Sequence, residues 1–307
     1  MGYIAILGVF VADTSYRADR APRMGETIMG NSFALGPGGK GSNQAVAAAR
    51  GGAEVHFISR LGRDPFAEMA LSTWRNAGVT AQVIQDADSY TGAAYIFVEE
   101  ATGNNAIIVC PGAGLQITPT DVQAQRALIA GAAVFMTQLE QPLDAALAAL
   151  RIAREGDALT VLNPAPAPAN ALPPEIYGLC DYVTPNESEA ETLTGVAVTD
   201  IASATRAAEV LLGFGARNAL ITLGENGALL HDGTQVTHVP AFRAGPVVET
   251  TGAGDAFNGG FAVALSEGRD PVDAVRFGSA TAGLSVTRPG TAPSMPARAE
   301  ILSLLGS

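Results

Sequence analysis

Apolar residues along this chain fall into two alternating rhythms. Short, nearly unbroken apolar runs at 3–7, 54–59, 133–137, 158–162, 182–184 and 219–223 read as strands buried on both faces. Between them, apolar residues recur every three or four positions at 42–50, 64–76, 120–130, 143–155, 187–193 and 203–214, the period of helices with one face against a core. Asp64 followed by Pro65 is a natural helix start, and Gly51-Gly52 a natural stop. Residues 228–239 read as a hairpin turning at Asp232-Gly233, and two last helices are expected at about 254–267 and 271–286. Such alternation predicts an α/β fold: a doubly wound, mainly parallel sheet in three αβα layers, forming one domain over residues 1–307.

Two stretches break the rhythm. Over residues 11–36, β-like pieces are interrupted by Pro22, Gly25, Gly30 and Gly36, with no helical period. A similar patch recurs at 93–110, where two pieces flank the turn-forming Thr102-Gly103-Asn104. These pieces are expected to leave the main sheet and form one small antiparallel sheet, a lid built from two insertions.

Composition narrows the partners. Eighteen basic against thirty acidic residues give a net charge of −12, which argues against nucleic acid or an anionic membrane as partner. Any phosphate site must then be built locally, from backbone N–H groups, a few cations and a metal ion. The apolar N-terminus lacks the basic leader of a secretion signal, and no run approaches the length of a membrane span, so a soluble cytoplasmic protein is expected. Cys110 and Cys180 form no Cys-x-x-Cys pair and read as two buried free thiols. His56, His231 and His238 show no ligand spacing, which sets aside zinc chemistry and a Ser–His–Asp triad. No Gly-x-Gly-x-x-Gly follows the first strand, so a nicotinamide dehydrogenase is set aside too.

In open parallel sheets ligands bind beyond the carboxyl ends of the strands, and four loops placed there carry candidate chemistry. Thr250-Thr251-Gly252-Ala253-Gly254-Asp255 opens a helix, and its small residues let N–H groups converge on an oxyanion at the helix's positive end. A carboxylate beside such a hole can take the proton of a hydroxyl that attacks a phosphoryl group. Gly38-Gly39-Lys40-Gly41-Ser42-Asn43 also precedes a helix. It fails the P-loop pattern, since Ala34 and Gly41 stand where that pattern needs Gly and Ser or Thr, and it suits hydroxyl binding instead. Thr184-Pro185-Asn186-Glu187-Ser188-Glu189 reads as a capping box that could also meet a nucleotide phosphate and waters around Mg²⁺. Thr222-Leu223-Gly224-Glu225-Asn226-Gly227 ends a strand in a glycine loop where a nucleotide could rest. Asn163-Pro164-Ala165-Pro166-Ala167-Pro168 reads as stiff scaffolding.

Together and in this order, these segments resemble the ribokinase-like (pfkB) carbohydrate kinases, from residue 8 to residue 296. Gln138-Leu139-Glu140, the Asn163 segment and the Asn186 segment point to the ribokinase branch. The resemblance implies ATP-dependent phosphorylation of a sugar's hydroxymethyl group, D-ribose first, with 2-deoxyribose, another sugar or a nucleoside as alternatives. It makes Asp255 the base and Gly252, Ala253 and Gly254 its anion hole. It assigns Val11, Asp13, Gly39, Lys40, Asn43 and Glu140 to the sugar. ATP would meet Asn186, Thr222, Gly224, Gly227, Gly254 and Ser279. Glu189 would order Mg²⁺ through water, and Glu249, Thr251, Ser285, Arg288, Gly290 and Ser294 would surround a monovalent cation, K⁺. It further implies a homodimer joined through the lids. Two positions depart from the family pattern: Val11 replaces an asparagine and Glu249 an aspartate. Val11 suits a sugar lacking a hydroxyl there, and for a nucleoside Phe33, Tyr95 and Phe97 are candidate stacking groups.

Overall fold

The computed structural model describes residues 2–306. Its strands are β1 (Ile4–Leu7), β2 (Val11–Ala18), β3 (Ser32–Gly38), β4 (Val55–Leu61), β5 (Val79–Gln85), β6 (Thr91–Glu99), β7 (Asn105–Gly112), β8 (Val134–Thr137), β9 (Leu159–Leu162), β10 (Tyr182–Val183), β11 (Asn218–Thr222), β12 (Ala228–His231) and β13 (Val236–Val239). Its α-helices are α1 (Lys40–Arg50), α2 (Pro65–Ala77), α3 (Pro119–Ala124), α4 (Arg126–Ala130), α5 (Leu143–Glu155), α6 (Glu175–Gly178), α7 (Glu187–Thr194), α8 (Ile201–Gly213), α9 (Ala253–Ser266), α10 (Pro271–Ser285) and α11 (Arg298–Gly306).

The main sheet runs β13-β12-β11-β10-β9-β8-β1-β4-β5, parallel from β11 to β5, with β12 and β13 added antiparallel at one edge. Its central strands β1 and β8 are buried along their whole length, as their unbroken apolar runs require. Ile4, Ile6, Val134 and Met136 point to one face, against α1, α2, α9 and α10. Ala5, Leu7 and Phe135 point to the other, against α3, α4, α5 and α8. The strand order reverses at β1, which pairs with β4 on one side and β8 on the other. At such a switch point the flanking loops part and leave a crevice.

The second sheet runs β3-β2-β6-β7. It was expected to be antiparallel throughout, but β2 and β6 pair in parallel, from Val11 opposite Gly92 to Ala18 opposite Glu99. Both strands rise from the same end of the main sheet, just after the parallel strands β1 and β5, and so run in one direction. The two hairpin partners, β3 and β7, are antiparallel to their neighbours. Cys180 is buried as expected, whereas Cys110 is exposed. Its apolar run is an edge strand of the lid, not a core strand, so Ile107, Ile108 and Val109 are exposed with it.

Four further segments depart from the sequence reading. The segment 120–130 breaks at Gln125 (φ −99°, ψ 11°) into α3 and α4. Strand β5 and helices α6 and α11 have no counterpart in the expected elements. β5 is a half-buried edge strand, and only Ile301 of α11 is buried, so neither shows the strong pattern of a core element. Among the described residues, no helix is long and apolar enough to cross a membrane.

Candidate active site

Asp255 lies in the first turn of α9, 7% exposed, at the floor of a cleft of about 130 Å³. Asn43 Nδ2 donates to its Oδ2 at 3.0 Å, and Gln44 Nε2 donates to its Oδ1 at 3.0 Å, both reaching across from α1. Burial raises the pKa of Asp255, while the charge of Lys40 and the two amide hydrogen bonds pull it back. At the helix start, the Ala253 N–H donates to the Thr250 carbonyl at 3.1 Å, so it is not free for an anion. The N–H groups of Gly252 and Gly254 have no backbone acceptor among the described residues, and both glycines line the cleft. A side chain at Gly254 would meet no atom within 4 Å, which leaves the space above it open to an anion.

The same cleft gathers Lys40, Asn186, Glu189 and Thr222. Gly39 turns the chain from β3 into α1 at φ 88°. A Cβ there would fall 2.5 Å from the Val9 carbonyl, so only glycine fits this approach. The turn brings the Lys40 N–H to Glu140 Oε2 at 2.8 Å. Glu140, just past β8, is pushed up to about 7, first by burial, with Lys40 opposing and Asp255 and Asp13 adding to the rise. Asp13 in β2 is pushed up to about 6 by burial and by the charge of Asp255. Asp13, Lys40, Glu140 and Asp255 thus feel one another's charge although they come from four separate segments.

Asn186 caps α7. Its Oδ1 accepts from Glu189 N at 2.9 Å, and Glu189 Oε2 accepts from Asn186 N at 2.9 Å. The capping-box reading is therefore realised, yet both residues also line the cleft. Thr222 pairs with Asn186 in a parallel bridge, and Gly224 and Gly227 shape the loop after it. A second cleft, of about 560 Å³, borders that loop beside Asp200 and His238. Ser279, expected on the ATP side, is instead buried on α10 and does not line the cleft; its hydroxyl has no partner among the described residues.

The segments expected around a monovalent cation are also brought together. Glu249 Oε2 accepts from Gly290 N at 2.8 Å, and the Val248 N–H donates to the Val286 carbonyl at 2.8 Å. The Ser285 and Ser294 hydroxyls donate to Ala282 and Thr291 carbonyls, which leaves their oxygen lone pairs available. Carboxylate, hydroxyl and carbonyl oxygens are a donor set that suits a hard cation. The Arg288 guanidinium pairs with Glu300, so only its main chain is available to a cation. Thr291, next to Gly290, donates through Oγ1 to the Pro37 carbonyl of β3 at 2.7 Å. For Mg²⁺, the described residues hold no cluster of three or more acidic, His or Cys ligands. Glu189, with one carboxylate oxygen outside its cap, fits an ion held mainly by phosphate and water.

Sequence reasoning missed a group of buried amides behind the site. Asn163, read as scaffolding, lines the cleft and accepts from Gln44 Nε2 at 3.0 Å. Asn258, one turn into α9, donates to the Gly254 carbonyl at 2.9 Å. A signal for Asn258 exists in hindsight: a polar residue on the otherwise apolar face of α9.

A doubly wound sheet with an inserted lid, an acid at a glycine-rich helix start and a lysine opposite it define a phosphotransferase of small molecules. The pfkB family carbohydrate kinase profile matches residues 1–298. A ribokinase of Haemophilus influenzae is 38% identical over 303 residues, covering 98% of both chains. A deoxyribokinase of Salmonella typhi is 34% identical over 294 residues, covering 95% of each. The structure of Arabidopsis thaliana ribokinase complexed with ribose and ATP superposes with a TM-score of 0.94 at 28% identity, covering 100% of this chain and 99% of that one. The chain belongs to the pfkB family of carbohydrate kinases and is an ATP-dependent sugar kinase.

Proposed function

We propose that this enzyme phosphorylates the hydroxymethyl group of D-ribose to give ribose 5-phosphate. One observation carries the reading: Asp255 is held by Asn43 and Gln44 at a helix start that faces the cleft shared with Lys40 and Asn186. The sugar sits between β2 and the start of α1, its hydroxyls donating to Asp13 and meeting Asn43, Lys40, Glu140 and the Gly39 main chain. Its hydroxymethyl oxygen lies against Asp255, which takes the proton as that oxygen forms a bond to the γ-phosphorus. The bond from the γ-phosphorus to the bridging oxygen breaks, and ADP leaves. In a loose transition state proton removal comes late, so orienting the nucleophile is the larger part of the work of Asp255. The N–H groups of Gly252 and Gly254, at the positive end of α9, steady the phosphoryl oxygens. Asn186, Thr222 and the loop of Gly224 and Gly227 hold the nucleotide. Glu189 would help hold Mg²⁺, which would supply charge neutralisation when bound, and Glu249 with the Ser285 and Ser294 oxygens would hold a monovalent cation, which would add positive charge. The lid keeps water away from the phosphoryl group.

A 2-deoxy sugar is the second reading, and Val11 favours it. Val11 is buried on the same face of β2 as Asp13, packed with Val9 and Ala94, so it offers a sugar no hydrogen bond. A nucleoside is less well served. Tyr95 and Phe33 stand opposite Thr14 and Tyr16, out of phase with Asp13 and hence on the other face of the lid, and Phe97 is buried. Tyr16 joins their ring cluster there.

The test is ADP release over a panel of ribose, 2-deoxyribose, other pentoses and hexoses, and nucleosides, with wild type and Asp255→Asn. Ribose should give the highest kcat/KM, and Asp255→Asn should lose about 10²–10⁴-fold in kcat while keeping its melting temperature. A higher kcat/KM for 2-deoxyribose would transfer the assignment to the deoxy sugar. Near-normal turnover by Asp255→Asn would remove the proposed base.

A further inference from the structure

We propose that Gln44 is a positioning residue for Asp255: it fixes the plane of the carboxylate and so aims its free lone pairs into the cleft. The inference rests on the kinase reading above and adds to it a residue that touches no substrate.

Gln44 is fully buried, and its amide can face only one way. Gln138 Nε2 donates to Gln44 Oε1 at 2.5 Å, which fixes the oxygen end. Both hydrogens at the other end are then committed, one to Asp255 Oδ1 and one to Asn163 Oδ1, each at 3.0 Å. The bonds continue in a circuit. Asn163 Nδ2 donates to the Thr184 carbonyl at 2.9 Å, Thr184 Oγ1 to Asn258 Oδ1 at 2.7 Å, and Asn258 Nδ2 to the Gly254 carbonyl at 2.9 Å. A path that leaves Asp255 through α1 thus returns, by way of the ends of β9 and β10, to the residue beside it. The backbones are locked as well: a Cβ at Gly259, one turn beyond Asp255, would lie 2.7 Å from the Gln44 carbonyl oxygen.

Asn43 holds the other oxygen of Asp255 but differs in one respect. Its own Oδ1 is buried without a partner, so it keeps an acceptor for a sugar hydroxyl. Gln44 keeps nothing back. Two donors on the two oxygens prevent the carboxylate from rotating, and misplacement of a reacting group by about 1 Å can lower the rate about 10²-fold. The charged groups around Asp255 are Lys40 on α1, Asp13 on β2, Glu140 after β8 and Glu189 on α7. Against three carboxylates and burial, a donated hydrogen bond favours the ionised form, and its loss raises the pH at which Asp255 takes up a proton.

The experiment compares wild type with Gln44→Met, which keeps length and loses the donors, and Gln44→Glu, which keeps shape and adds a carboxyl group. Expected for Gln44→Met is a fall in kcat of about 10–100-fold, with sugar and ATP KM within about threefold of wild type and the acid limb of the kcat–pH profile moved to higher pH. Gln44→Glu should move the limb further. A normal kcat and unmoved limb in a folded variant overturns the proposal, as does a raised sugar KM with kcat intact. If neither variant folds, Gln138→Met, which frees the Gln44 amide to turn over, must move the limb in the same direction or the proposal falls. Failure of the kinase reading is distinguishable, since wild type itself would then release no ADP with any sugar.

Discussion

At the scale of single residues, the site sets four carboxylates, Asp13, Glu140, Glu189 and Asp255, against one lysine. Asp13 rises to about 6, through burial and the charge of Asp255, and Glu140 to about 7, mainly through burial. In the proposed binding mode a sugar hydroxyl donates to each carboxylate, so the ionised forms are the ones that would bind. Sugar KM should therefore fall as pH rises through about 6 to 7 and level off above. Folding stability should run the other way. An acid whose pKa is raised in the folded state favours that state at low pH, and the benefit is lost as pH climbs from the usual carboxylate range through 6 to 7. Initial rates at limiting sugar and denaturant titrations across pH 5–8 check the two trends; a sugar KM flat over that range would contradict the first. Asp255, Lys40 and Gly39 were legible in sequence because their signal is local, a glycine pattern next to a helix. Gln44 and Asn163 were not. Gln44 acts on a residue 211 positions away, and nothing adjacent marks either amide as more than packing.

The packing of α1 on α9 joins the residue scale to the element scale. Gly259 allows that contact, because a Cβ there would sit 2.5 Å from the Ala47 Cβ. Overpacking of this kind typically destabilises by about 1–3 kcal/mol. Gly259→Ala should lower the melting temperature and also lower kcat, since α1 carries both side chains that hold Asp255; calorimetry and initial rates measure the two. Loss of stability with unchanged kcat would show that the helices can part without disturbing the base. Most elements were readable from periodicity, and α5 was read to its observed ends, 143 and 155. Asp64 caps α2 as read, accepting from Ala67 N at 2.9 Å. What periodicity could not supply was direction. An alternating run marks a strand, but whether β2 meets β6 parallel or antiparallel depends on where each leaves the main sheet.

For the whole molecule, the lid is the element that bears on assembly. Its face opposite Asp13 carries Tyr16, Phe33, Tyr95 and Ile108, between 38% and 62% exposed, and its edge strands β3 and β7 have no further strand beside them among the described residues. Exposed apolar surface of this kind beside open strand edges suits a second copy of the chain. The pair Tyr95 and Ile108, directly opposed across β6 and β7, is the place to test it. Wild type should sediment as a dimer, and the Tyr95→Lys, Ile108→Lys double variant as a monomer with a raised sugar KM. A monomeric wild type would leave the lid face without its proposed partner.

The hydroxyl of Thr291 hooks the loop after α10 onto β3 at Pro37, two residues before the turn at Gly39. Glu249 grips that same loop at Gly290. An ion held among those oxygens would therefore act on the turn at Gly39, where the sugar is proposed to sit, through a train of only a few atoms. On the proposed binding mode, a change of salt would register first as a change in how firmly the sugar is held, and only afterwards as a change in the speed of the chemistry.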